Sequence, residues 1–215
     1  MKIDFDEDKH EYSVNGVRVP SVSEILAPLS AERYSELNKS MLEQAAARGT
    51  AIHEACGLID FGIAPEEDAE IDGYLVAYQM FLLEHDVKWE LVEGITGYQR
   101  AEDEYPLYCG TVDRFGFVDG IPTLVDIKTY ASMSSAAQLS ASCQTSLYRD
   151  AMESHGWFVM NRAILHLRKD GTYRLIDLGE WDKKHGFNSG DTAWGLWNVW
   201  NNKDKALKTV RRGAK

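Results

Sequence analysis

Between Gly110 and Thr129, two aspartates and a lysine occupy positions that folding would bring together. Asp113 falls in one β-prone run and Asp126 in the next, with the turn pair Asp119-Gly120 between them. Pairing of those strands sets the two carboxylates side by side at one sheet edge. Asp126 and Lys128 are two residues apart, so both side chains project from the same face of one strand. Leu124, Val125 and Ile127 around them are apolar, so the charged pair interrupts an otherwise buried run. Such burial is costly unless a partner or a metal compensates it. Two carboxylates beside an ammonium suit hydrolysis assisted by a hard cation. The carboxylates hold Mg²⁺ or Mn²⁺, and the lysine orients or deprotonates the attacking water or stabilises a pentavalent phosphate. Taken alone, Asp126-x-Lys128 reads more simply as a surface ion pair on a strand edge.

The elements that must position these residues follow from the hydrophobic pattern. Glu11–Val19 places Asn15-Gly16 between two β-prone runs, a hairpin with a type I′ turn. Ser21-Val-Ser-Glu24 is a capping box that opens a short helix from Val22 to Leu29. Residues 31–60 carry helical spacing and many alanines, and a further helical pattern ends near Leu83. Six acids with no basic residue lie between Asp60 and Asp72, which reads as a solvated stretch leading into that helix. Trp89–Gln99, Leu107–Val118 and Thr123–Thr129 then form a three-strand meander. A helix over Ser134–Ser154, two strands at Arg162–Leu167 and Tyr173–Leu178, and a last helix over Asp182–Thr209 complete the chain. The order predicts an α/β (α+β) domain around one central mixed sheet flanked by helices. Its 215 residues suit a single domain: N-terminal hairpin and short helix at 1–30, core at 31–178, C-terminal helix and basic tail at 179–215.

Two further motifs frame the aspartates. Upstream lies Arg48-Gly49-Thr50-Ala51-Ile52-His53, a helix start with a histidine, and downstream lies Gln144 with Tyr148, which share one helical face. In chain order, Gly-x-x-x-His, Gly-Thr-x-Asp, Asp-x-Lys and Gln-x-x-x-Tyr resemble the signature of PD-(D/E)XK nucleases, in particular the RecB-like and phage-exonuclease branch. The resemblance spans about residues 10–178. It implies a restriction-endonuclease-like core and a metal-dependent deoxyribonuclease, most like an exonuclease of recombination, replication or repair. It also implies that His53, Asp113 and Asp126 hold Mg²⁺ or Mn²⁺ with the backbone carbonyl of Ile127, and that Asp113, Asp126 and Lys128 are catalytic. Gln144 and Tyr148 would position the substrate or the lysine. Val112 replaces the proline of the family name. The extra glutamate ligand of some members has only Glu54, Glu93 and Glu102 as candidates. DNA, linear duplex or single strand, is the implied partner; a single-strand annealing protein and a homo-oligomer are family expectations. A non-cleaving nucleic-acid-binding module on the same fold, or an endonuclease of the superfamily, is the competing reading.

Composition limits the remaining possibilities. Cys56, Cys109 and Cys143 are too few and too scattered for a disulfide framework or for the four-cysteine iron–sulfur cluster of some family members. No apolar run approaches a membrane span, and the acidic start lacks a signal peptide's apolar stretch, so a cytoplasmic location (the host cytoplasm if the gene is a phage's) is expected. A net charge of −11 weighs against nucleic acid at first, but Asn202–Lys215 carries six basic residues and one acid. Trp194, Trp197 and Trp200 recur every three residues on the last helix; core packing or an oligomer contact explains them more simply than base stacking.

Overall fold

The computed structural model describes residues 2–7, 9–34 and 39–213; for residues 30–34, 39 and 206–213 it describes the backbone alone. Three short strands come first, β1 (Asp4–Asp6), β2 (Glu11–Val14) and β3 (Val17–Val19), in an antiparallel sheet of that order. Asn15 and Gly16 form the β2–β3 turn, both with positive φ, as a type I′ hairpin requires. Strand β1 had no signal in the sequence, since Asp4-Phe5-Asp6 lacks a run long enough to show alternation.

Helix α1 (Val22–Tyr34) opens on the expected capping box: the Glu24 amide donates to Ser21 Oγ at 3.1 Å and the Ser21 amide to a Glu24 carboxylate oxygen at 2.9 Å. It runs beyond the expected Leu29, because Pro28 removes one backbone donor without ending the helix. Helices α2 (Lys39–Asp60) and α3 (Asp72–Glu84) follow.

Strands β4 (Val87–Tyr98), β5 (Tyr108–Val118) and β6 (Ile121–Lys128) are the meander, and helix α4 (Ser135–Ser154) crosses over to β7 (Asn161–Leu167), which pairs with β8 (Tyr173–Asp177). The five-stranded sheet has the order β4-β5-β6-β7-β8 and is antiparallel except between β6 and β7. A parallel pair needs a long crossover, and α4 supplies it. The predicted α/β class with one mixed sheet is therefore the observed one.

Each sheet face carries its own core. Ile52 and Cys56 of α2 and Tyr78 and Phe81 of α3 pack with Val125, Ile127 and Leu165 on one side. Val22 and Ile25 of α1 and Leu147 and Met152 of α4 pack with Phe115 and Leu124 on the other. The last helix divides in two, α5 (Leu178–His185) and α6 (Ser189–Gly213). Gly186, at φ 60°, takes the left-handed conformation that ends α5, and Asn188 caps the next start by accepting from the Asp191 amide. Trp194, Trp197 and Trp200 lie partly buried against the α1–α4 core, as the simpler expectation had it. The basic tail lies largely outside the described side chains. Among the described residues no helix is long and apolar enough to cross a membrane.

Candidate active site

The C-terminal end of β6 is where the sequence motifs meet. The β5–β6 ladder runs from Val118↔Ile121 up to Arg114↔Val125. One step further the Ile127 amide donates instead to Asp113 Oδ2 at 2.7 Å. Asp113 thus takes over a donor that the ladder would have used, and its side chain is fixed at the point where the two strands part. Asp126, 2% exposed, accepts from the Lys128 ammonium at 2.7 Å through Oδ1. This is a buried pair, not the surface pair that the short motif alone suggests.

Helix α2 brings His53 to the same place. Its Nε2 lies 3.2 Å from the Ile127 carbonyl oxygen, and its Nδ1 lies 3.5 Å from a Glu93 carboxylate oxygen and 3.7 Å from Asp113 Oδ2. His53, Glu93 and Asp113 offer ligand atoms within 4.8 Å of one another. Asp126 stands outside that compact group, and its Oδ2 is buried with no hydrogen-bond donor. Of the three glutamates considered from the sequence, Glu93 joins the group, while Glu54 and Glu102 are exposed and take no part in it.

Glu93 reaches this position through an irregular strand. The β4–β5 register shifts between Trp89 and Leu91, and Glu93 has φ 49°, a left-handed conformation costly for a side chain of this size. Arg114 is what holds it. This fully buried guanidinium donates to Glu93 at 2.8 Å, to Asp60 at 2.6 Å and to the Asp113 carbonyl at 2.7 Å. Asp60 also accepts from the Tyr78 hydroxyl at 2.6 Å and the Trp89 indole at 3.1 Å. The expectation that the whole acidic stretch from Asp60 to Asp72 is solvated is therefore corrected at Asp60. Its partners come from α3, β4 and β5, far away in sequence, and no local pattern announces them.

Gln144 and Tyr148 of α4 come together as their spacing requires, the Gln144 amide donating to the Tyr148 hydroxyl at 3.2 Å. The glycine of the Gly-Thr-x-Asp motif has a packing reason. A Cβ on Gly110 would lie 2.4 Å from the Tyr148 ring, so only glycine lets this tyrosine pack so closely against β5. Cys109 and Cys143 are buried thiols in the core, as expected.

No protein-family model and no curated protein sequence matches this chain.

Geometry and electrostatics alone therefore carry the functional reading. Burial pushes the Asp126 carboxyl up to about 6, against the pull of Lys128 and with a further push from Asp113. Burial opposes the charge on Lys128, but Asp126, Tyr130 and Asp113 outweigh it and hold the amine above its ordinary range, hence protonated. Burial likewise opposes charge on His53, and Asp113 with Glu93 turns the net shift upward. Negative charge is thus in excess, and the donor set of carboxylate oxygens, one imidazole and one backbone carbonyl suits a divalent Mg²⁺ or Mn²⁺ ion. The undonated Asp126 oxygen fits the same conclusion, since a buried carboxylate oxygen without a partner is costly unless a cation satisfies it.

Proposed function

We propose that the protein is a metal-dependent nuclease that hydrolyses phosphodiester bonds of DNA, most like an exonuclease of the PD-(D/E)XK type. The observation that carries this reading is the convergence, at one strand end, of His53, Glu93, Asp113 and the buried Asp126–Lys128 pair with its orphaned carboxylate oxygen. His53, Asp113, Asp126 and the Ile127 carbonyl would hold the cation, with Glu93 added to the set. When bound, the cation would supply Lewis acidity and a lowered water pKa.

The protein's own groups divide the remaining work. Lys128, kept charged by its neighbours, stabilises negative charge building on the phosphate rather than removing a proton. The Ile127 carbonyl, accepting from Nε2, keeps the His53 ring oriented so that Nδ1 faces Asp113 and Glu93, where the cation would sit. Gln144 and Tyr148 line the α4 side, where as neutral groups they donate to a phosphodiester or accept from the Lys128 ammonium. Nothing in the site resembles an activated serine or cysteine, and hydrolysis here needs no covalent intermediate.

The test is degradation of linear and circular DNA with Mg²⁺ or Mn²⁺ by the wild type and by Asp113→Ala, Asp126→Ala and Lys128→Ala. Each substitution should lower the rate by at least about 100-fold. Full activity in all three overturns the site. A wild type that binds DNA but cleaves neither substrate points to the binding module. Cleavage of the circle separates endonuclease from exonuclease.

A further inference from the structure

Helix α2 carries an arginine whose situation differs from that of the other arginines in contact with carboxylates. Arg18, Arg100, Arg114, Arg149 and Arg162 each donate to an acidic side chain at close range. Arg48 is half-buried, and its Nε is buried with no acceptor. It lies four residues before Ile52 and seven before Ala55, both buried against the sheet, so it shares the inward stripe of the helix. One turn further along, His53 touches the Ile127 carbonyl. The neighbouring Gly49 is close enough to Thr129 that a Cβ there would lie 3.9 Å from its hydroxyl. Arg48 therefore stands just past the end of β6, at the rim of the candidate active site.

The acids nearest the site are already engaged. Asp126 serves Lys128, Asp60 and Glu93 serve Arg114, and Asp113 serves the Ile127 amide. Among the described residues none accepts from Arg48 Nε, and a buried guanidinium nitrogen without an acceptor is unfavourable. An anion from outside satisfies it, and a guanidinium fork matches the two oxygens of a phosphodiester better than an ammonium does.

We infer that Arg48 is a phosphate-binding residue, gripping a backbone phosphate of the substrate next to the one cleaved, with the Thr129 hydroxyl across the rim as a second donor. This rests on the nuclease reading above and adds to it a residue that selects a polyanionic strand over an isolated phosphate ester. It also accounts for how so acidic a chain holds DNA: by a specific contact at the site rather than by a broad basic surface.

The experiment is steady-state cleavage of linear duplex DNA with Mg²⁺ by wild type, Arg48→Gln and Arg48→Lys across a KCl series, with thermal unfolding of each protein measured in parallel. Arg48→Gln should raise KM about tenfold, with the larger share of the loss in KM. It should also flatten the slope of log(kcat/KM) against log[KCl] by about 0.9, one phosphate contact's worth. Arg48→Lys should keep the slope and recover part of KM. Because the substitution removes an unsatisfied donor, the unfolding midpoint of Arg48→Gln should not fall. An active wild type with Arg48→Gln equal to it in KM and salt slope overturns this inference and leaves the nuclease reading standing. A fallen midpoint with unchanged salt slope assigns Arg48 a structural role and overturns it too. A wild type that cleaves no DNA with either metal overturns the nuclease reading, and the phosphate contact falls with it.

Discussion

Two buried arginines, Arg114 and Arg162, answer the same electrostatic problem in opposite ways. Arg162 reaches from β7 to the C-terminal helices and finds a partner for each of its terminal nitrogens. It donates to the Ser142 carbonyl at 2.8 Å, to Ser146 at 2.7 Å and to Asp182 at 3.0 Å, with Thr145 and Ser189 close by. Neutral hydroxyls supply most of that shell, and Asp182 is itself buried and further bonded to Ser142 and Ser189. Arg114 is surrounded by carboxylates instead, one of them the half-exposed Glu93 beside His53, and it keeps one terminal nitrogen, Nη2, without an acceptor. A closed shell of hydroxyls fastens helices to a sheet. A shell of acids that stops short of closing instead ties Arg114 to Glu93 and, through its backbone, to Asp113.

The largest expected effect on that comparison is on stability. Arg162→Ala strands Asp182, and Arg114→Ala strands Asp60, so each should cost about 3–5 kcal/mol of unfolding free energy in a urea titration. Replacing Arg162 and Asp182 together by apolar residues of similar volume should recover most of the loss. A cost below about 1 kcal/mol for either single variant would mean that its network is not a structural unit.

A smaller effect separates the two arginines by function. Under conditions where both variants remain folded, Arg162→Ala should keep Mn²⁺ affinity in calorimetric titration, whereas Arg114→Lys should weaken it about tenfold by releasing Glu93. Glu93→Gln should weaken Mn²⁺ by a similar factor of about 10–100 with little change in unfolding. Equal Mn²⁺ affinity in Glu93→Gln and wild type would remove Glu93 from the ligand set and leave Arg114 a purely structural role.

The smallest effect is a chemical readout of independence. Each network has a buried thiol near it, Cys56 beside Arg114 and Cys143 beside Arg162. Burial pushes both thiols up, Cys143 to about 12, and holds them as unreactive thiols at pH 8. Iodoacetamide followed by mass spectrometry should leave both unlabelled in the native protein and label both in denaturant. In Arg162→Ala labelling should rise first at Cys143, and in Arg114→Ala first at Cys56. Simultaneous labelling in both variants would show one cooperative unit rather than two.

The sequence was informative where a short period governs geometry. Asp113, Asp126 and Lys128 follow from strand alternation and a two-residue turn, and Gln144 with Tyr148 from helical spacing. His53 could be reached only through its motif, because nothing in α2 itself says that the helix crosses the end of β6. Glu93 was one of three weak candidates, since the left-handed residue at an irregular strand breaks the alternation that would have placed it. Asp60 and Arg114 are separated by 54 positions, and a buried pair drawn from a helix end and a strand leaves no local pattern. The break before α6 was visible, in Gly186 and the capping residues after it, but the tryptophan spacing that continues beyond invited one helix through both.

The hydrogen bond from the Ile127 amide to Asp113 gives this aspartate two duties that a substitution cannot separate cleanly. An alanine there removes a carboxylate from the site and also reopens a backbone donor at the fork of the β5–β6 hairpin, where either strand can then slide toward closing the ladder. An asparagine keeps an acceptor of nearly the same shape and leaves only the charge in question. The contact makes this acid a wedge: the same oxygen that faces His53 keeps two strands from pairing to their ends, and the opening so maintained is the space in which the other groups meet.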